Sequence, residues 1–378
     1  MEGRSFGLDV LRTFSIWMVM LSHVAYWYNP SSMGIYYSGI KPLLLGVEPF
    51  FVLGGFLAAL SFQQVLVKKG GRIYTGDAVV YIKRRWLRTF PNYFLFLLIY
   101  SIAFSLTKPD FEFDVKYLFF TQNFYWLAPS FFSVSWSLAT QEWFYIALPL
   151  LMVAASQSLP ERFHVNPMLA GSLALVVISF VARYHYMHIN PVTDLEGALR
   201  RIALLRLDSV GIGVFMGYCY FRWTRWLEAN SLTLFLVGIL AVVILSYLRR
   251  NDVFNQLYWV QMLFYPIFSV MIALWMPWLY KLPPFSSNML VWLFENTSKW
   301  SYSIYLSHVF FLDGIYLVGR KLGIIFEPGF LILGLSITWV LATYVASATI
   351  YRFYEKPWLK YGKRDKKAEV KLPQKSGF

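Results

Sequence analysis

An all-α, polytopic membrane bundle of about ten spanning helices, with no separate soluble domain, is the fold class this sequence predicts. Three observations predict it. Of 378 residues, 58% are hydrophobic and 20% aromatic, and only 14% are charged, against roughly a quarter in an ordinary soluble domain. The apolar residues run in stretches of about 20, the length that crosses the hydrocarbon core. Lysine and arginine gather at one set of the stretch ends, as they do in cytoplasmic loops. The same composition excludes general disorder. A single cysteine, Cys219, excludes an internal disulfide framework and any cysteine-rich zinc module. The net charge of +14, in so apolar a chain, reads as cytoplasmic lysine and arginine and not as a nucleic-acid surface.

The spans follow in order. The first, residues 8–28, has too long an apolar part for a secretory signal, holds Arg12, and is followed by no small-x-small cleavage site, so it is retained. The second, 43–67, contains Pro49 and the pair Gly54 and Gly55, which predict a kinked or closely packed helix. The third, 86–106, overlaps the basic run Arg84, Arg85 and Arg88 just before Pro91. Residues 114–134 are aromatic and amphipathic but lack clean spanning length, and read as an interfacial or re-entrant element on the outer side. The fourth span, 136–155, carries Glu142, and the fifth is 167–184. The sixth, 203–221, opens with Arg206 and Asp208; the seventh, 230–248, and the eighth, 257–280, carry no charge. The ninth, 301–319, contains His308 and Asp313, and the tenth, 329–351, leads into the tail. With no internal repeat or low-complexity tract in view, residues 1–355 form one transmembrane domain and 356–378 a basic cytoplasmic tail. Both termini are expected to be cytoplasmic, since Lys68, Lys69, Arg72, Lys83, Arg84, Arg85, Arg88 and the run from Arg352 to Lys375 then lie inside. Arg200, Arg201, Arg249 and Arg250 run against that bias.

A charge at the centre of a spanning helix costs about 2.5–3.5 kcal/mol on insertion scales. Arg12, His23, Glu48, Glu142, Arg206, Asp208, His308 and Asp313 are therefore expected to face a polar interior. Arg12 and His23 lie about three turns apart on one helix face, roughly 16 Å along the axis. An arginine fork suits phosphate, and a histidine moves protons near neutral pH. Coenzyme A, with phosphates at one end and a thioester at the other, has the matching shape; alternatively Arg12 snorkels to the headgroups and His23 makes one interhelical hydrogen bond. Arg84, Arg85 and Arg88 either anchor the helix on the positive side or join Arg12 around phosphates. Trp136, Ser137, Glu142 and Tyr145 crowd the start of the fourth span, where a carboxylate could orient a histidine, position a sugar hydroxyl or pair with a base. Glu48, beside Pro49, reads as a packing-network residue. A lone His308 among aromatics is first a packing residue and second a base. His164, His185 and His188 lack supporting carboxylates or cysteines, so no metal site is expected. The sequence has no GK[ST] phosphate loop, no HExxH and no GxSxG elbow.

These residues sit in motifs that resemble the membrane acyltransferases of acyltransferase family three. FGLDVLRTFSIWMVMLSH supplies Asp9, Arg12 and His23 at the family's spacing. VEPFFVLGGFL matches its second-span pattern with Glu48, although the usual serine is Gly54. RRWLRTFP is its basic run ending in proline, and WSLATQEWFY its WSL-x-x-E-x-x-FY element, with Gln141 in place of the first of two frequent acids. RLDSVGIGVFMG, SKWSYSIYLSH and YRFYEKP look like the remaining landmarks, in the right order.

The resemblance implies about ten helices around an intramembrane site. It implies transfer of an acyl group, acetyl above all, from cytoplasmic acyl-coenzyme A to a hydroxyl of extracytoplasmic or lipid-linked carbohydrate. On that reading Arg12, helped by Arg84, Arg85 and Arg88, holds the donor's phosphates, and His23 is the general base, directly or through an acylated intermediate. Glu142 orients His23 or the sugar, Trp136 and Tyr145 border the sugar, and Asp9, Glu48, Ser137 and His308 form the supporting network. The expected location is a bacterial inner membrane, with lipid around the bundle, no nucleic acid, no metal, and either transfer by this chain alone or a separate periplasmic partner. A succinyl donor for a periplasmic glucan stays open on the same fold. From another class, a carbohydrate transporter or flippase would use the same charges to line a path, with related halves.

Overall fold

The computed structural model describes residues 5–27, 45–128, 131–158, 165–190, 195–250, 257–323 and 330–361, and over these it is all-α. The helices are α1 (Phe6–Trp27), α2 (Glu48–Lys68), α3 (Thr75–Thr107), α4 (Ser135–Ser158), α5 (Pro167–Ile189), α6 (Leu195–Arg201), α7 (Leu207–Arg222), α8 (Thr224–Ala229), α9 (Ser231–Arg250), α10 (Tyr258–Ala273), α11 (Met276–Lys281), α12 (Asn288–Lys321) and α13 (Phe330–Ile350). A π-helical turn, Tyr351–Glu355, continues α13. Among the described residues, eight helical segments have the length and apolarity to cross a bilayer. The two further helices of spanning length, α1 and α12, carry Arg12, His23 and His308. The chain is a polytopic membrane bundle.

Local chemistry explains the ends. Asn166 accepts a hydrogen bond from the Met168 N–H at 2.9 Å and Pro167 occupies the first helical position, so α5 starts there. The α2–α3 turn uses Gly70 and Gly71 at φ of 60° and 86°, a region that disfavours a side chain. Asp77 then accepts from the Tyr74 N–H at 3.0 Å and from Lys69 at 2.7 Å, tying the turn shut. Three boundaries differ from the sequence expectation. Helix α3 starts eleven residues before 86 and so carries its arginines on helix, and α12 begins at Asn288, because polar ends of a bundle helix continue it past the apolar window. The eighth span is broken after Ala273, and Pro277 opens α11. Pro49 also sits in a first turn, so it starts α2 and does not kink it.

Close packing centres on α2 and α7. A Cβ on Gly55 would lie 2.0 Å from the Val210 carbonyl oxygen, and one on Gly213 2.1 Å from that of Val52, so the two backbones meet where only glycine fits. Buried charges lock the same region. Arg206 pairs with Glu48, both fully buried, and donates to Ser209 at 2.9 Å, while Arg183 of α5 donates to Asp208 at 2.6 Å and to the Met262 carbonyl at 2.8 Å. The Arg206 guanidinium also lies 4.0 Å from the Tyr265 ring centroid. Thus Glu48, Arg206 and Asp208 join α2, α5, α7 and α10. Asp313 departs from the expectation of a polar interior: it is exposed on α12, in the field of Lys108.

Within 114–134, residues 129 and 130 lie outside the described part. The rest folds onto the bundle as a short 3-10 turn, Val115–Phe119, and irregular chain. Tyr117, Gln122 and Asn123 are fully buried. The backbone is held by side chains: Tyr93 donates to the Tyr117 carbonyl at 2.8 Å, Tyr117 to that of Phe131 at 2.6 Å, and Trp143 to that of Phe120 at 2.9 Å. Such partners are what non-helical backbone at a bundle requires.

Candidate active site

Helices α1 and α12 run parallel, with Phe6 against Phe294 near one end and His23 against His308 further along. Thr13 donates to the Phe294 carbonyl at 3.0 Å and Trp17 to the Tyr344 hydroxyl at 2.6 Å, fixing the rotation of α1. Its other face, with Phe14, Met18 and Leu21, is exposed. Asp9 is fully buried, accepts from Ser298 at 2.6 Å and pairs with Arg12 at 3.1 Å. The Arg12 side chain keeps 18% exposure and borders a cavity.

That cavity, of ≈ 800 Å³ counting its open mouth, lies among α1, α2, α3, α4 and α12. Arg12, Arg85 and Arg88 line it, with Thr89, Gln141, Tyr145 and Tyr302. Its wall includes Ser137 and Tyr305, whose hydroxyls are 2.6 Å apart, and the open position Gly54, where a Cβ would meet nothing within 4 Å. Arg85 is sandwiched between the rings of Tyr81 and Tyr145, each centroid 5.1 Å away. Arg84 is exposed and is not among the lining residues. The structure therefore gathers Arg12, Arg85 and Arg88, and leaves Arg84 aside.

The two intramembrane histidines meet. Their ring centroids are 4.8 Å apart at 80°. His23 Nδ1 lies 2.9 Å from the Val19 carbonyl oxygen and His308 Nδ1 2.7 Å from that of Tyr305. A carbonyl only accepts, so in each neutral ring Nδ1 carries the hydrogen and Nε2 keeps its lone pair. His308 Nε2 is buried without a hydrogen-bond partner among the described residues. The pair adjoins the cavity through Tyr305, whose ring centroid is 5.8 Å from that of His308.

Glu142 is buried, but it turns to Thr89 and the Arg85 charge on α3, and the Val19 carbonyl fixes the His23 ring. Trp136 is half-buried against the edge-on ring of Phe51, 6.1 Å between centroids, and the Arg200 guanidinium lies 5.6 Å from its centroid. Glu48 belongs to the Arg206 pair and not to the cavity. Of the loop histidines, His185 hydrogen-bonds Tyr125 at 2.8 Å and His188 stacks on Tyr184, while His164 lies outside the described residues. Sequence reasoning missed Thr89, Tyr302, Tyr305 and Arg200. Ser301, Tyr302, Tyr305 and His308 recur at three- and four-residue spacing in SKWSYSIYLSH, a pattern that marks one helix face.

Residues 5–347 match the acyltransferase domain of one protein family. A Staphylococcus aureus (strain COL) protein named as an inferred O-acetyltransferase is 23% identical over 392 aligned positions, which cover 94% of this chain and 57% of that one. A counterpart named alike in strain N315 matches to the same extent. The O-acetyltransferase OatA of strain NCTC 8325 is 26% identical over 196 positions, 46% of this chain and 30% of its own. The chain thus spans little more than half the length of the relatives it matches most fully. No solved structure matches.

Proposed function

Because the chain belongs to the acyltransferase domain family over nearly all its length, we propose that it moves an acetyl group from acetyl-coenzyme A, held from the cytoplasmic side, to a hydroxyl of a carbohydrate at the outer face of a bacterial inner membrane. The observation that carries this reading is the gathering, along one cavity, of Arg12, Arg85 and Arg88 with a histidine pair beyond Tyr305. The arginines present forks for the coenzyme's phosphates, and the aromatic and hydroxyl walls suit a thin pantetheine arm. The roughly 16 Å of rise between Arg12 and His23 then spans phosphate end to thioester end.

With its Nδ1 hydrogen committed to Val19, His23 offers Nε2 to the acceptor hydroxyl. As that proton moves to Nε2, the hydroxyl oxygen attacks the thioester carbonyl, and coenzyme A leaves as a thiolate that takes the proton back. Glu142, against Arg85 and Thr89, works on the donor side by holding Arg85 in place. Both termini lie in the cytoplasm on this scheme, so the donor's length bridges the membrane and no alternating access is needed.

The test supplies radiolabelled acetyl-coenzyme A to membrane vesicles and follows label into glycan. Wild-type vesicles should transfer label, and His23→Ala should abolish transfer while the protein stays folded and inserted. Full activity in that variant removes histidine from the mechanism. Sugar movement with no label transferred favours a transporter and refutes acyl transfer. Glycan mass, shifted by an acetyl or by a succinyl group, decides the donor.

A further inference from the structure

Arg200 is a charge the acyl-transfer scheme does not use. It also runs against the positive-inside bias, so its position needs a cause. The structure gives it fixed surroundings. Its neighbours Ala198, Leu199 and Ile202 are fully buried. The Asn123 side-chain amide donates to the carbonyls of Arg201, at 2.6 Å, and Trp136, at 2.9 Å, and its backbone carbonyl accepts from the Ala203 N–H at 2.8 Å. One buried side chain therefore clamps α6 to the start of α4, and Arg200 cannot move away as a unit with its helix.

The guanidinium lies over the Trp136 ring, 5.6 Å from its centroid, and the next residue, Ser137, meets the Tyr305 hydroxyl at 2.6 Å. The Arg200 Nε is buried without a hydrogen-bond partner among the described residues. An arginine held on an aromatic face keeps its edge donors for a planar or tetrahedral anion. Neither Arg200 nor Trp136 lines the cavity that holds Arg12, Arg85 and Arg88. They connect to the histidine pair through Ser137 and Tyr305, whose ring packs on His308, so the anion they await is assigned to the acceptor and not to the donor's phosphates.

We propose that Arg200 binds an anionic oxygen on the acceptor, a carboxylate or phosphate near the hydroxyl that is acylated, with Trp136 against the sugar ring. The substrate class is thus an acidic carbohydrate. This rests on the acyl-transfer reading for its function but not for its binding.

Three small probes separate the possibilities: methyl β-D-glucoside, methyl β-D-glucuronoside and glucose 1-phosphate. Each is titrated against the detergent-purified full chain, with binding read by protection from thermal unfolding. The wild type should bind at least one charged probe about tenfold or more tightly than the neutral glucoside, as a charge-assisted pair predicts. Which charged probe wins tells a carboxylate from a phosphate. In Arg200→Gln the ratio should fall close to one, and Arg200→Lys, a point charge without the fork, should keep part of it. A wild-type ratio near one overturns the assignment without any variant. A ratio that survives Arg200→Gln overturns it too, and shows that Arg200 only packs on Trp136. The labelled acetyl-coenzyme A assay is run on the same preparation. Charge-selective binding with no label transfer leaves this site standing and removes the acyl-transfer reading; label transfer with no charge selectivity does the reverse.

Discussion

Gly54 and Gly55 are adjacent in α2 and should respond to alanine in opposite directions. Alanine in place of glycine inside a helix gains about 0.5–1 kcal/mol from lost unfolded-state freedom. At Gly54 a new Cβ meets nothing within 4 Å, so Gly54→Ala should realise that gain. At Gly55 the Cβ would lie 2.0 Å from the Val210 carbonyl oxygen and 2.8 Å from the Val214 nitrogen. Ordinary contact lies near 3.5–4.0 Å, so α7 would have to retreat by roughly 1.5 Å or more. The α7 backbone is itself pinned by Gly213 against Val52 and by the Glu48–Arg206 pair, so the strain cannot relax locally. Overpacking of this kind costs about 1–3 kcal/mol, and that range is also the expected gap between the two alanine variants. The assay is the fraction of purified protein left monodisperse after heating, across a temperature series. Equal midpoints, or a higher midpoint for Gly55→Ala, would refute the packing argument. A larger change at the open position carries the test to function: Gly54→Trp should fill the cavity, raise the KM for acetyl-coenzyme A about tenfold or more, and leave the protein folded. An unchanged KM would remove this cavity as the donor's seat.

Arg85→Gln and Arg88→Gln should each raise the KM for acetyl-coenzyme A by about tenfold, the worth of one charge-assisted contact, while Arg84→Gln changes it far less because Arg84 does not line the cavity; initial-rate kinetics on reconstituted protein checks all three, and equal effects would mean a general surface-charge role. Glu48→Gln should leave Arg206 as an unpaired buried charge and cost about 3–5 kcal/mol, so that little monodisperse protein accumulates, whereas joining Glu48→Leu with Arg206→Met should recover much of the loss; a stable Glu48→Gln protein would show that the pair is dispensable.

The ten apolar stretches were legible because spanning length and residue composition are local properties; over the described residues each is helical, the eighth being divided between α10 and α11. Boundaries were less legible: α3 and α12 continue through charged turns whose cost vanishes at the ends of a bundle, and an apolar window stops short of them. Arg12 and His23 were legible as one helix face because a period of 3.6 needs no tertiary information. Which partner each polar group finds was not. Glu142 could have met His23 or a base, and the rotation of α4 against α3 sends it to Thr89 and Arg85. Glu48 could have served the site, yet it pairs with Arg206, 158 residues away in sequence. His308 looked like a lone packing histidine because only the parallel docking of α1 on α12 brings His23 beside it.

The placement of chemistry follows the same physics. Among helices of spanning length, α1 and α12 stand outside the eight that length and apolarity alone select, and they supply Arg12, Ser301, Tyr302, Tyr305 and both histidines. A helix can carry that polar load only if another helix turns the same load inward against it. The side chains of α1 divide accordingly: Asp9, Thr13 and Ile16 are buried, while Phe14, Met18 and Leu21 are exposed on the apolar side. Docking α1 on α12 removes from lipid, in one step, groups that would each cost several kcal/mol there. The interaction that makes these two helices tolerable in a membrane is therefore the one that brings the two imidazole rings together. Arg200 obeys the rule from outside the bundle. It breaks the charge bias of the loops and is held on Trp136, so on the proposal above the exception in the topology marks where an acceptor would be read.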